Sequence, residues 1–197
     1  MTYVLGLTGS IGMGKSTTAA FFAEEGIPVW DADATVRALY AEDGAATQLV
    51  AEHFPDAIEN GSVSRPRLRD LIAEDPTVLD RLQDMVHPLV AANRRDFIAQ
   101  ASEEIVLLDI PLLFETGADA VCDGVVVVSV PADIQRERVL ARGEMTAEDL
   151  DMILSRQMPD AEKRSRATWT IETVTLDEAR QSVKMIIAEI RAGLPNA

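Results

Sequence analysis

The chain has 197 residues and a hydrophobic fraction of 47%, which predicts one compact globular domain. Its formal net charge of −15 argues against general binding to nucleic acid or to anionic membranes. No apolar run has membrane-spanning length, no signal segment opens the chain, and the single cysteine, Cys122, fits a reducing compartment, so we expect a cytoplasmic protein.

The first predicted elements enclose a glycine-rich loop. An apolar run over Tyr3–Thr8 is typical of a buried strand, and residues 16–25 predict a helix that ends before Gly26. Between them, residues 9–16 fit the G-x-x-x-x-G-K-[ST] pattern of a phosphate-binding loop. Its backbone amides would bind phosphate, Lys15 would reach the β- and γ-phosphates, and the Ser16 hydroxyl would bind Mg²⁺. A turn before a surface helix is the alternative, but strand, loop and helix stand in the required order.

Two carboxylates follow the second predicted strand, residues 28–30. Asp31 and Asp33 are therefore expected at the carboxyl edge of a parallel sheet, beside the phosphate loop. A carboxylate there can orient an acceptor hydroxyl and take its proton, and a second one can hold Mg²⁺ through water. The alternative for Asp33 is a helix N-cap, and the spacing alone does not separate the two interpretations.

Residues 34–104 show only helical patterning, for instance over 65–72 and 78–86. A simple crossover between parallel strands needs far fewer residues, so we predict an inserted helical subdomain that shapes a substrate site. His87 lies in this insert, where a structural role is the more common one for a lone histidine. Arg65 lies there as well, and a solvated basic face is the first interpretation for it.

The third and fourth predicted strands, residues 105–110 and 124–130, are apolar without alternation, as in parallel strands that are covered on both faces. Asp109 ends the third strand in the manner of a Walker-B carboxylate, with a turn aspartate before Pro111 as the alternative. A fifth strand is predicted over 168–172 and a last helix over 176–192. The alternation of strands and helices predicts an α/β fold with a five-stranded, doubly wound parallel sheet in three layers.

Basic side chains are concentrated in residues 136–166 of this acidic chain. This segment contains seven Arg and Lys residues and seven acidic ones, so it has no net charge. Arg138 and Arg142 lie four positions apart, which predicts one helical face. Guanidinium groups suit the charge that spreads over a transferring phosphoryl group. A solvated basic face is the alternative for either arginine.

Together these motifs resemble those of the dephospho-coenzyme A kinase family. The phosphate loop comes first, and an Asp-Ala-Asp-x-x-x-Arg motif, a His-Pro pair, a Pro-Leu-Leu-x-Glu element and a Gln-x-x-Arg-x-x-x-Arg run follow in the family's order. The residues that carry them are Gly9 to Ser16, Asp31 to Arg37, His87 and Pro88, Pro111 to Glu115, and Gln135 to Arg142. The order and spacing hold from Tyr3 to about residue 167.

The resemblance implies a nucleoside-monophosphate-kinase-like P-loop domain over residues 1–197, with a substrate-binding insert at about 34–104 and a lid at about 136–166. The implied reaction moves the γ-phosphoryl group of ATP, with Mg²⁺, to the 3′-hydroxyl of the ribose of dephospho-coenzyme A. Small molecules, and neither nucleic acid nor membranes, are the implied partners of a monomer or small homo-oligomer. A P-loop kinase of another metabolite or nucleotide is the alternative; a regulatory GTPase is disfavoured because no Asn-Lys-x-Asp motif occurs.

The resemblance also implies roles for individual residues. Asp33 would be the catalytic base, with Lys15 and Arg142 stabilising the transferred phosphoryl group. Ser16 would bind Mg²⁺. Asp31 and Asp109 are further candidates for Mg²⁺ because of their positions at strand ends, and the resemblance does not imply this role for them. ATP would contact Gly9, Ser10, Ile11, Gly12, Met13, Gly14, Lys15, Ser16, Thr17, Arg138 and Arg142. Dephospho-coenzyme A would contact Thr8, Asp31, Asp33, Arg37, Arg65, His87, Pro111, Leu112 and Glu115.

The chain departs from the family's pattern over residues 167–173. The family tends to have an Asp and an Asn there, whereas this chain reads Ala-Thr-Trp-Thr-Ile-Glu-Thr. This region often borders the adenine pocket of the fold, so Thr168 and Thr173 receive no predicted role.

Overall fold

The computed structural model describes residues 2–194, which divide into two compact units. One unit is formed by the chain up to Trp30 and from Ala101 onward, and the other by Asp31–Gln100. The second unit overlaps the segment 34–104, for which the sequence predicts a substrate-binding insert, and that role stays a prediction. Among the residues described, no helix combines the length and the apolar character needed to cross a membrane.

The elements follow the predicted alternation of strands and helices. The strands are β1 (Tyr3–Thr8), β2 (Val29–Asp31), β3 (Ile58–Glu59), β4 (Ser62–Val63), β5 (Ile105–Asp109), β6 (Gly124–Ser129) and β7 (Trp169–Glu172). The helices are α1 (Lys15–Glu24), α2 (Ala32–Leu39), α3 (Ala45–His53), α4 (Arg65–Glu74), α5 (Thr77–Gln100), α6 (Ala132–Leu140), α7 (Ala147–Arg156), α8 (Asp160–Arg166) and α9 (Leu176–Gly193). The five predicted strands all occur, each within one residue of its expected bounds.

The main sheet has five strands in the order β2-β5-β1-β6-β7. Strand β1 pairs in parallel with β5 and with β6, and β6 pairs in parallel with β7. After β1, the chain forms β2 and β5 on one side of β1 and then β6 and β7 on its other side. A crevice therefore opens at the carboxyl end of β1, which is where open α/β sheets bind their ligands.

The apolar strands are buried on both faces, as their lack of alternation predicts. All five residues of β5 and all six of β6 are buried. Alternate strand residues, such as Leu5, Leu7 and Val128, share one hydrophobic cluster with Phe22 of α1 and with the apolar stripe of α9. That stripe recurs at helical spacing and comprises Ala179, Val183, Ile186, Ile187 and Ile190.

The second unit is mostly helical but contains an antiparallel hairpin of β3 and β4. The prediction of helices alone is therefore wrong over residues 58–63. The hairpin turns at Asn60 and Gly61, which both have positive φ, 49° and 77°. Asn-Gly is the preferred pair for such a turn, so the signal was present although strands of two residues are too short to show a period. The hairpin packs into a small core with Phe54, Leu68 and Leu82.

Candidate active site

The loop after β1 has glycines at positions where its backbone and packing require them. Gly14 precedes α1 with a φ of 86°, a left-handed conformation that glycine adopts without strain. A Cβ at Gly9 would lie 2.3 Å from Cγ2 of Val128, so only glycine fits between the loop and β6. Helix α1 begins at Lys15, and its amino end therefore faces the loop that the motif predicts.

Side chains from outside the loop hold its carbonyl groups. The Gln135 amide donates to the carbonyl of Ile11 at 2.7 Å, and the Thr173 hydroxyl donates to the carbonyl of Met13 at 2.7 Å. The Met13 sulfur in turn accepts from the backbone amide of Val130 at 3.1 Å. These bonds orient the loop from outside, and within the loop the Met13 amide donates to the carbonyl of Ser10 at 3.2 Å. Thr173, which carries no predicted role, is thus a structural part of the site.

Lys15 contacts the predicted Walker-B carboxylate. Its Nζ lies 2.6 Å from Oδ1 of Asp109, and the two side chains are only 16% and 7% exposed. Asp109 ends β5 directly beside β1, where it stands in register with Leu7. The structure thus brings together two candidates that the sequence separates by more than 90 positions. The Walker-B role of Asp109 stays a prediction.

The loop that follows β5 is held next to β1. The Thr8 hydroxyl donates to the carbonyl of Pro111 at 3.0 Å. Thr8 is fully buried, so in this structure its side chain supports the loop. Leu112 is 40% exposed, whereas Leu113 is fully buried. Of these candidates for substrate contact, Leu112 presents a side chain to solvent.

Glu115, at the end of the same loop, has a basic partner. Its Oε1 lies 2.9 Å from Nζ of Lys163 and accepts a hydrogen bond from the Met158 amide at 2.9 Å. Burial raises the pKa of this carboxyl, but the Lys163 ammonium and the Met158 amide outweigh burial and hold the pKa below its usual range. Glu115 is therefore ionised at neutral pH and acts as a hydrogen-bond acceptor.

Arg138 and Arg142 line one cavity with the phosphate loop. Arg138 donates from Nη2 to the carbonyls of Thr173 and Val174, at 2.8 and 3.1 Å. Helix α6 ends at Leu140, so the expectation of one shared helical face is wrong: Arg142 lies beyond the helix end. The cavity has a volume of about 320 Å³, and its walls include Gly12, Thr17, Arg138, Arg142, Thr173 and Leu176.

The two aspartates that the sequence singles out lie in the second unit and have different contacts. The Asp31 side chain caps α2 and accepts from the backbone amide of Ala34 at 2.9 Å. Asp31 also lies 3.8 Å from the guanidinium of Arg37. The interpretation of Asp33 as the N-cap is therefore wrong, because Asp31 fills that place. Asp33 lies in the first turn of α2 and is exposed.

Arg65 and His87 lie at exposed positions of the second unit, on α4 and α5. Helix α5 continues through Pro88, one residue after His87, and is longer than the predicted stretch. Arg65 is near the Tyr40 hydroxyl: burial raises the pKa of Tyr40, and the positive charge of Arg65 opposes that rise. Both residues are accessible to a ligand.

A glycine-rich phosphate loop at the switch point of a parallel sheet, with a lysine beside a strand-end carboxylate, is typical of P-loop nucleotide-binding enzymes, a class that includes kinases. The sequence profile of dephospho-CoA kinase matches residues 3–178. The chain therefore belongs to the dephospho-CoA kinase family.

Individual relatives agree with this assignment. A curated dephospho-CoA kinase of Cereibacter sphaeroides is 59% identical, and the alignment covers 95% of both chains. A solved structure from Thermus thermophilus is 35% identical over 95% of this chain and 97% of the other, with a TM-score of 0.83. A dephospho-CoA kinase from Campylobacter jejuni, 20% identical over 96% and 97% of the two chains, has a TM-score of 0.66 and supports the fold.

Proposed function

We propose that this protein transfers the γ-phosphoryl group of ATP to the 3′-hydroxyl of the ribose of dephospho-coenzyme A, giving coenzyme A and ADP. The observation that carries the proposal is the braced phosphate loop with Lys15 at its end, in a chain that matches one kinase family over most of its length. The 3′ oxygen forms a bond to the γ-phosphorus as the bond from that phosphorus to the β,γ-bridging oxygen breaks.

On the donor side, the loop amides and the amino end of α1 bind the phosphates of ATP. Lys15 leaves Asp109 for the β- and γ-phosphates, because a dense negative charge competes with one carboxylate. Arg142, which is exposed beside the cavity, stabilises the transferred group. Arg138 is held in place by two backbone carbonyls, and its flat guanidinium forms a wall for the nucleobase.

The donor atoms present fit Mg²⁺. Ser16 offers an exposed hydroxyl at the start of α1, and the Asp109 carboxylate lies beside Lys15 at the end of β5. Such hard oxygen donors, few in number, suit an ion that keeps several waters and is bound largely through substrate phosphates. Asp31 can contribute through water. When bound, Mg²⁺ would neutralise charge on the phosphate oxygens.

On the acceptor side, Asp33 orients the 3′-hydroxyl and takes its proton. Its carboxylate suits this role because the neighbouring Asp31 supplies the helix cap. The other residues proposed to contact the acceptor are, in the second unit, Asp31, Arg37, Arg65 and His87 and, in the first unit, Thr8, Pro111, Leu112 and Glu115. ATP, dephospho-coenzyme A and no macromolecule are the proposed partners. The cytoplasmic location and the monomeric or small homo-oligomeric state remain predictions.

An acceptor panel tests the proposal. The purified protein is incubated with ATP and Mg²⁺ and with dephospho-coenzyme A, adenosine, AMP, CMP or gluconate, and ADP release and the phosphorylated product are measured. The Lys15→Met variant, purified identically, controls for contaminating kinases. We expect Lys15-dependent product with dephospho-coenzyme A alone. Lys15-dependent product with another acceptor and none with dephospho-coenzyme A would establish the alternative, a P-loop kinase of a different metabolite.

A further inference from the structure

Lys163 is a buried cation for which the proposed transfer has no use. It lies on α8, and none of its side chain is exposed to solvent. Lysine is almost never fully buried unless it is paired, because removing an ammonium group from water is costly. It is also one of only three lysines in the chain. The role of Lys163 therefore depends on the residue with which it is paired.

That partner is Glu115, whose side chain is 19% exposed. The Lys163 ammonium lies 2.9 Å from Oε1 but outside the approach angles of a regular hydrogen bond, so the contact is an ion pair. The Met158 amide donates to the same oxygen. Among residues 2–194, other residues make two contacts with this carboxylate, the ion pair and the hydrogen bond, and both involve Oε1. The backbone amide of Glu115 also donates to its own carboxylate. Within the same described range, no hydrogen bond or ion pair from another residue reaches the second oxygen, Oε2, which can accept one from a ligand.

The element that carries Lys163 is fixed to the main sheet. Asp160, at the start of α8, accepts from the Ser129 hydroxyl at the end of β6 at 2.9 Å. Arg166, at the end of α8, lies 2.9 Å from Asp119 and 4.4 Å from the ring centroid of Phe114. Helix α8, which lies in the segment predicted to be a lid, is thus held at both ends in this structure and places Lys163 against Glu115.

Stability alone does not account for this pair. A largely buried ion pair adds little to stability compared with apolar side chains of similar volume, so a requirement for charge and orientation at Glu115 explains the pair better. Glu115 ends the loop that begins beside Asp109, next to the phosphate loop. An ionised carboxylate with one oxygen anchored and the other oxygen available is suited to recognising a polar ligand.

We propose that Lys163 is a positioning residue for the acceptor: it fixes the Glu115 carboxylate so that Oε2 accepts a hydrogen bond from an N–H or O–H group of dephospho-coenzyme A. The proposal rests on the proposed function. Lys163 itself does not touch the substrate and acts only through Glu115. Its loss should therefore weaken acceptor binding and leave ATP binding unchanged.

Steady-state kinetics of four variants test this. They are Lys163→Met, Glu115→Gln, the double variant, and Lys184→Met, an exposed lysine of α9, as the matched control. We expect Lys163→Met to raise the KM for dephospho-coenzyme A by about tenfold or more. The KM for ATP and the affinity for ATP without acceptor should stay within about twofold of the parent. The double variant should behave like Glu115→Gln, because both changes remove one interaction.

Three results would overturn the proposal: an unchanged KM for the acceptor, an equal rise in both KM values, or additive effects in the double variant. If Lys163→Met does not fold, Glu115→Gln decides alone, and an unchanged acceptor KM in that variant refutes the role of the pair. A parent protein without activity on dephospho-coenzyme A would instead refute the proposed function. Activity in the parent with an unchanged acceptor KM in the variants refutes only the present proposal.

Discussion

Two neighbouring aspartates at the start of α2 have different surroundings. Asp31 has extended backbone angles, φ −107° and ψ 117°, and its side chain closes the helix end. Asp33 is two residues further, exposed in the first turn. A carboxylate that already accepts a backbone amide is constrained, whereas an exposed one can meet a substrate hydroxyl. At the scale of single residues, this difference supports the proposal that Asp33 is the base.

Replacing Asp33 with asparagine keeps the size of the side chain and removes its proton affinity. We expect kcat to fall by about 10²- to 10⁴-fold, the usual contribution of a general base. The affinity for ATP, measured without acceptor, should be unchanged because the phosphate loop is untouched. The control is Asp96→Asn, at an exposed position of α5. Turnover within a few-fold of the parent would show that another group takes the proton.

The roles of these two residues could be predicted from sequence only in part. The spacing placed both carboxylates after a strand and left open which one caps the helix. The cap goes to the residue whose backbone is still extended, and this depends on where β2 ends, at Asp31. Element ends shift by a residue with tertiary packing, so spacing alone cannot make the assignment.

The phosphate loop is an element supported from several parts of the chain. Gln135 of α6, Thr173 after β7 and Val130 after β6 each bond to the segment from Ile11 to Met13. A glycine-rich loop is flexible by itself, so these bonds reduce the entropy that it loses when it closes around phosphate. The conformation of the phosphate loop therefore depends on residues from several elements at this edge of the sheet.

Replacing Thr173 with valine tests this bracing, because valine keeps the shape and removes the hydroxyl. The carbonyl of Met13 would lose its donor, so we expect the free energy of unfolding to fall by about 1–3 kcal/mol. The KM for ATP should rise by about threefold to tenfold, since the loop is less ordered. Thr170→Val, at an exposed position of β7, is the matched control. Equal effects in both variants, by thermal unfolding and kinetics, would argue against a specific brace.

The strands could be predicted from the sequence, but the hydrogen bonds that hold the phosphate loop could not. Continuous apolar runs such as β5 and β6 have few alternatives to burial in a parallel sheet, so their bounds follow from local sequence. The bond from Thr173 to Met13 joins residues 160 positions apart. No periodicity records such a contact. The short hairpin of β3 and β4 could be predicted only in part. Asn60-Gly61 marks its turn, but its strands are too short to show a period.

The balance of charge concerns the whole molecule. With 33 acidic and 18 basic side chains, the protein repels itself at neutral pH, and lowering the pH relieves that repulsion. Carboxylates that are held ionised by their partners act in the opposite direction. Glu115 is of this kind, because the ion pair and the amide hold its folded-state pKa below the usual value. Its contribution is present at neutral pH and is lost as the pH falls through that lowered pKa.

Urea unfolding of the parent and of Glu115→Gln from pH 7 to pH 3 separates these effects. At neutral pH we expect the parent to be more stable by about 1–3 kcal/mol, since the variant leaves Lys163 without a charged partner. The difference should shrink below about pH 4.5, the ordinary range of glutamate, as the parent carboxyl takes up a proton. Glu148→Gln, exposed on α7, controls for loss of one negative charge. A difference that is constant over this range would contradict the lowered pKa.

The sequence by itself determined the class of this protein. The phosphate-loop motif, the apolar strands and the order of the later motifs are local or ordered along the chain, and they sufficed for the fold, the family and the expected reaction. Only the tertiary structure decided that Lys15 contacts Asp109, that Asp31 caps α2, that Arg142 lies beyond α6, and that Lys163 is buried against Glu115. These facts depend on which distant side chains meet at one place, and burial and pairing energies are set there and not along the sequence.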